Sequence, residues 1–253
     1  MNKTRISFTA VLVLSVWTGS VFADVSLPRV VFDQGHNQQF LIGEKGDLQL
    51  SNLADRIRSK GAAVAEINDP LNDDALKGVT ALVISGPFQS LKSEEIDAVA
   101  RFVKRGGRLA AMLHIGPPLA GLLDRLDIDH SNSVLHERNN VIDKDINFRV
   151  KGLGDHVIFT GMNQFSVYGS WALKAGKEGT PIAHTSADAW VDLDGNKALT
   201  EVDAVGAFDV VIAGSLGSGS YLVFADDAIF QNRFLDENNS KLAANLAGWL
   251  LGL

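Results

Sequence analysis

The sequence predicts an α/β fold in which a mostly parallel sheet carries helices on its faces and is lengthened by an antiparallel β extension. Three observations predict it. Short runs such as RVVFD (29–33), TALVIS (80–85) and RLAAML (108–113) are apolar without alternation, as strands buried on both faces must be. Amphipathic helical stretches separate them, each closing on cations and then glycine. From His130 to Gly206 the pattern breaks into short β-like pieces, with a turn signal at Asp194-Gly195, and this reads as the antiparallel part.

The elements follow in order. Lys3 and Arg5, the apolar run Ile6 to Trp17, and the close Val21-Phe22-Ala23 make a secretory signal cleaved before Asp24. The run is shorter than the ~20 residues of a spanning helix, so the expected product is periplasmic or secreted, with no membrane span after cleavage. The organisation is therefore a signal peptide (1–23) and one domain (24–253), a size below the ~250–300 residues at which cores divide.

After the strand at Arg29 to Asp33, Leu50, Leu53, Ala54 and Ile57 recur at helical spacing, and Arg56, Arg58, Lys60 and Gly61 close that helix. Ala62 to Ile67 and Thr80 to Ser85 are the next strands. Ser93 is a suitable N-cap for a helix with Glu94 and Glu95 in its first turn, a stripe of Ile96, Val99, Ala100 and Val103, and a Gly106-Gly107 stop. Arg108 to Leu113 is a strand and Leu119 to Leu126 a short helix. Phe208 to Ala213 and Tyr221 to Ala225 flank a Gly/Ser turn, the second strand rejoining the main sheet, and a helix from about Ser240 is expected to bury Leu242, Leu246, Trp249, Leu250 and Leu253.

Composition excludes several function classes. With no cysteine, the chain has no disulfide, no thiolate metal site and no cysteine nucleophile. Without Lys3 and Arg5 the mature chain carries 21 Lys+Arg against 30 Asp+Glu, a net −9, and it has no basic run. Nucleic acid and anionic membrane surfaces are poor partners for such a chain.

The turn Asp33-Gln34-Gly35-His36-Asn37, the segment Leu91 to Gly107 feeding a GGRL strand, Thr185-Ser186 with Trp190 and Asp192, and Phe224-Ala225-Asp226-Asp227 to Asn232 form an ordered pattern. It resembles the class I glutamine amidotransferase-like superfamily, in particular its secreted or membrane-linked branch. That branch includes a domain of unknown function and auxiliary components of gliding-motility-type transporters. The resemblance covers nearly all of Arg29 to Leu253, including Asn245 and Trp249 of the last helix, and implies a flavodoxin-like sheet with the nucleophile on the turn after a central strand. His114 stands at that turn, so the resemblance implies a scaffold without glutaminase chemistry, since no thiolate is available. The branch's Gly-Asp pair after the last strand is Ala225-Asp226 here.

Ligands of open parallel sheets bind beyond the carboxyl ends of the strands. The polar residues there are Asp33 with His36 and Asn37, Ser85 with Gly86, His114, and Asp226 with Asp227, followed by Asn232. These define the expected ligand-binding crevice. Asp33, His36, His114 and Asp226 could hold a divalent metal such as zinc, but no HExxH-type spacing is present. The structural alternative, carboxylates capping loop amides and imidazoles bonded to backbone, outweighs it.

Asp192 to Asn196 has its glycine too early for an EF-hand and reads as a hairpin turn. Gly214 to Gly219 lacks the lysine and following helix of a phosphate loop. Trp171 and Trp190 could line a sugar or peptide groove, with core packing the favoured reading. His130, His136, His156 and His184 have no partner pattern and read as polar surface or loop residues.

The resulting expectation is an exported, non-catalytic binding protein for a small molecule or an envelope protein complex, with no cofactor. A metal-assisted hydrolase of a small or carbohydrate-like substrate is the alternative.

Overall fold

The computed structural model describes Met1 and residues 27–253. The signal-peptide reading therefore lies, Met1 apart, outside the described residues. In chain order the elements are β1 (Arg29–Asp33), α1 (Ser51–Ser59), β2 (Ala63–Ile67), β3 (Ala81–Ser85), α2 (Ser93–Lys104), β4 (Arg108–Met112) and α3 (Ala120–Arg125). There follow β5 (Ile128–His136), β6 (Asn147–Val150), β7 (Gly152–Leu153), β8 (Phe165–Tyr168), β9 (Trp171–Ala175) and β10 (Gly179–His184). The chain continues through β11 (Trp190–Val191), β12 (Ala204–Val205), β13 (Asp209–Leu216) and β14 (Gly219–Phe224) to α4 (Glu237–Leu251).

Twelve strands form one sheet with the order β12-β11-β5-β9-β13-β14-β4-β3-β1-β2; β10 pairs with β13 and β7, and β6 pairs with β8 apart from this sheet. Only β2, β1, β3, β4 and β14 are joined in parallel, and every other pairing is antiparallel. The expectation of a flavodoxin-like, mostly parallel sheet with helices on both faces is corrected accordingly. The fold is a large mixed sheet, mostly β, and the four α-helices among the described residues are too few to sandwich twelve strands. The overestimate has a physical source. Buried parallel strands carry loud apolar runs, whereas β5 (IDHSNSVLH) is polar and half-exposed and gives almost no periodic signal.

Within the parallel part, apolarity and burial agree: all five residues of β3 are buried, as are Val30 to Asp33 of β1 and Leu109 to Met112 of β4. In α1 the buried residues Leu53, Ala54 and Ile57 follow the helical spacing, and this helix packs on α4 while α2 packs on α3. The buried Asn239 of α4 accepts the Ser166 amide at 2.9 Å and donates to the Ser166 carbonyl at 3.0 Å, fastening α4 to β8. The N-cap of α2 is Lys92 rather than Ser93, and the Glu95 carboxylate takes the Lys92 amide at 2.9 Å.

Candidate functional site

Parallel pairing sets three strand ends side by side, with Ser85 opposite Met112 and Met112 opposite Phe224. The chains leaving them stay joined. Gly86 donates to the Met112 carbonyl (2.9 Å), Leu113 to that of Phe224 (3.0 Å), and Asp227 to that of Leu113 (2.7 Å). This backbone lattice brings Gly86, His114, Asp226 and Asp227 to one rim.

His114 is bonded through Nδ1 to Asp227 Oδ1 at 3.0 Å. The carboxylate side chain is 1% exposed and the imidazole 35%. Phe40 and Phe88 flank the ring, at centroid distances of 5.0 and 5.1 Å, and the Trp171 indole donates to the His114 carbonyl at 3.2 Å. Among the described residues Nε2 has no protein partner. The Asp227 hydrogen bond outweighs burial and, with the charges of Asp227 and Asp226, holds the His114 pKa above its ordinary value.

The two acids face inward. Asp226 accepts the Tyr168 amide at 2.6 Å and the Ala228 amide at 2.9 Å, which ties the end of β8 to the rim. Burial, and the neighbouring charge of Asp227, push its carboxyl up to about 7. Burial likewise raises Asp227, opposed by its hydrogen bond to His114. Asp227 Oδ2 is buried with no hydrogen-bond partner and lies directly against Gly86. Gly86 adopts φ +54°, and a Cβ there would stand 2.1 Å from that oxygen, so glycine is required on both counts.

Asp33 and His36 belong to a second, closed network. Both are buried, with Nδ1 of His36 2.8 Å from Asp33 Oδ2 and Nε2 3.2 Å from Glu95 Oε1. Gln38 donates to Asp33 at 2.6 Å, and Glu95 also accepts the Leu71 amide at 3.0 Å. Burial lowers the His36 pKa, but the hydrogen bonds and charges of Asp33 and Glu95 overcome it and leave it raised. An imidazole held between two carboxylates, with backbone amides filling the rest, is a structural clamp joining β1 to α2. It stays close to the rim, since Phe88 and Gln89 donate their amides to the His36 carbonyl.

The remaining candidates separate. Asn37 is exposed with φ +56°, and its side chain accepts from Gln39. Ser85 is buried, its hydroxyl unpartnered. Asn232 accepts the Asn52 amide at 2.9 Å and donates to the Gly46 carbonyl at 2.8 Å, so its side chain is spent on the start of α1 and the loop before it. Asp33, His36, His114 and Asp226 thus fall into two networks and do not form one metal-ligand set.

Among the described residues, acid or histidine ligand atoms converge in a group of three at Asp192, Asp194 and Asp203. Those oxygens accept amides of their own turn, including Gly195 to Asp192 at 2.7 Å and Leu193 to Asp203 at 2.9 Å. Trp190 is buried and stacks on His136, 4.1 Å between centroids, and His136 is itself buried and bonded to Asp145 at 2.8 Å rather than lying on the surface.

Sequence reasoning missed Glu95 as the partner of His36, and Phe40 and Phe88 as the walls of the rim. Glu95 gave a signal only as a helix-start acid, and the two phenylalanines lie in loops without periodicity.

The site and sheet define a mixed-sheet domain with a histidine-carboxylate rim at the ends of its parallel strands. The chain belongs to the family described as domain of unknown function DUF4350, whose model matches residues 44–247. The mmIFT52 N-terminal domain is similar in structure, with TM-score 0.71 at 16% identity over 88% of this chain and 97% of that one. Two cytoplasmic proteins from Salmonella typhimurium are similar as well. STM1381 of strain LT2 has TM-score 0.59 at 14% identity (89% and 100% covered), and STM3548 has 0.53 at 12% (88% and 98% covered). No curated protein is matched. These findings correct the resemblance to the glutamine amidotransferase-like superfamily: the family matched is DUF4350, and the neighbours named are an IFT52 domain and cytoplasmic proteins. Two of the motifs behind that resemblance, at Asp33 to Asn37 and Phe224 to Asp227, are turns at the ends of parallel strands, which any sheet with a parallel part can carry.

Proposed function

We propose that this chain is a non-catalytic ligand-binding protein, acting outside the cytoplasm, whose recognition surface is the rim at His114. One observation carries the proposal: an imidazole locked by a buried carboxylate, walled by two phenyl rings, with its second nitrogen unpartnered among the described residues. Burying Asp227 costs free energy that simple packing would not require, and perturbed ionisable groups concentrate at functional sites. The exported setting rests on reading residues 1–23 as a secretory signal. The separation of His36 from His114 into different networks argues against the metal-assisted hydrolase.

The test is a thermal-shift screen of small acids, bases, neutral polar compounds and sugars against wild-type protein and His114→Ala. A ligand at 100 times its Kd stabilises by ~2.7 kcal/mol. That stabilisation is expected in the wild type and not in the variant. Equal stabilisation of both, or ester, amide or phosphate turnover that disappears with His114, would overturn the proposal.

A further inference from the structure

Among the described residues, the side-chain oxygens near the rim are either hydrogen-bonded or, like Asp227 Oδ2 and the Ser85 hydroxyl, unpartnered but buried out of a ligand's reach. Asp227 Oδ1 takes His114 Nδ1 and Oδ2 is buried against Gly86, while the two oxygens of Asp226 take the amides of Tyr168 and Ala228. The carbonyl of His114 takes the Trp171 indole. What remains is a donor, His114 Nε2 in its protonated state. The amides of Ile115 and Gly116, in the turn beside it, donate to no acceptor among the described residues. A ligand group that meets the imidazolium and these amides must accept hydrogen bonds.

Charge narrows the class further. The imidazolium favours an anion, but its charge is partly matched by Asp227 directly behind it, which suits one negative charge better than two. The walls are apolar, since Phe88 is exposed beside the imidazole and Phe40 is packed partly on the core. We infer that the ligand is a small monocarboxylate with an apolar or aromatic body, its carboxylate on His114 Nε2 and its body against Phe40 and Phe88. This rests on the binding reading above and names the ligand class for the same site.

The direction of the pH dependence follows from the groups that face the ring, Asp227 and Asp226. Raising the pH removes the His114 proton, and ionising Asp226, whose carboxyl is pushed up to about 7, adds negative charge behind it, so both effects weaken carboxylate binding as the pH rises.

Calorimetric titration with four matched probes, phenylacetate, phenylacetamide, phenethylamine and phenyl phosphate, tests the inference on the mature protein. Phenylacetate is expected to bind best and to weaken as pH rises. Its affinity should fall about tenfold or more in His114→Ala, the loss expected for a hydrogen bond between charged groups. His114→Gln and Phe88→Ala guard against a variant that fails to fold, and both should also weaken it. Tighter His114-dependent binding of the amide, the amine or the phosphate would overturn the carboxylate inference and leave the binding proposal standing. Binding of none of the four would overturn it too, and the wider screen then judges the binding proposal separately.

Discussion

His114 has a defined chemistry because Asp227 holds one of its nitrogens, and the hydrogen bond fixes which nitrogen faces outward. Replacing Asp227 with Asn removes the strongest influence raising the His114 pKa, so the imidazole should titrate at lower pH. An NMR pH titration of the ring resonances reads this directly, and an unchanged midpoint would show that the carboxylate does not govern the ring. Gly86 is the other residue the rim depends on. Gly86→Ala forces a side chain into the left-handed region and onto Asp227, and should destabilise by about 2 kcal/mol or more in urea unfolding. A loss within ~0.5 kcal/mol, the range of ordinary surface changes, would mean that the contact relaxes freely.

Among the elements, the network of Asp33, His36 and Glu95 fastens the end of β1 to the first turn of α2. Glu95 receives the Lys92 amide, the Leu71 amide and the His36 imidazole. Glu95→Gln keeps the shape but removes the charge, and should cost roughly 1–3 kcal/mol, since it weakens charge-assisted bonds that are buried. Equilibrium denaturation checks it, and rapid hydrogen exchange at the start of α2 should accompany the loss. The apolar runs at β1, β3, β4 and β14 were legible because both faces of those strands are buried. Residues such as His130, Ser131 and Asn132 hid β5, so the antiparallel majority of the sheet went undercounted. For the site, His114, Gly86, Asp226 and Asp227 could be picked out as polar residues at strand ends. That Asp33 and His36 close on Glu95 instead could not, because a pairing across 59 positions leaves no mark in local spacing.

Over the whole molecule, the ionisable groups predict an acid-shifted stability profile. Asp226 and Asp227 have raised folded pKa values, so the native state holds protons that the unfolded chain has released, and stability falls as pH rises from about 4 towards 7. His36 and His114, also raised, contribute stability that is full below their unfolded value and lost as pH rises through their folded values. Glu95 works in the opposite sense. Burial would raise its pKa, but the Lys92 amide and His36 leave it lowered, so its contribution is present above its unfolded value and lost in stronger acid. Denaturation midpoints measured from pH 3 to 9 should peak near pH 4 to 5 and decline steadily to pH 8. A plateau from 5 to 8 would show that the buried acids ionise without cost.

The most direct measurement is a proton–nitrogen correlation spectrum of the histidine side chains at pH 6.5, recorded while phenylacetate is added. The His114 Nε2 resonance should move furthest, saturate with the calorimetric Kd, and be followed by the ring protons of Phe40 and Phe88. An unmoved His114 resonance while other histidines shift, or shifts scattered over the antiparallel half of the sheet, would contradict it.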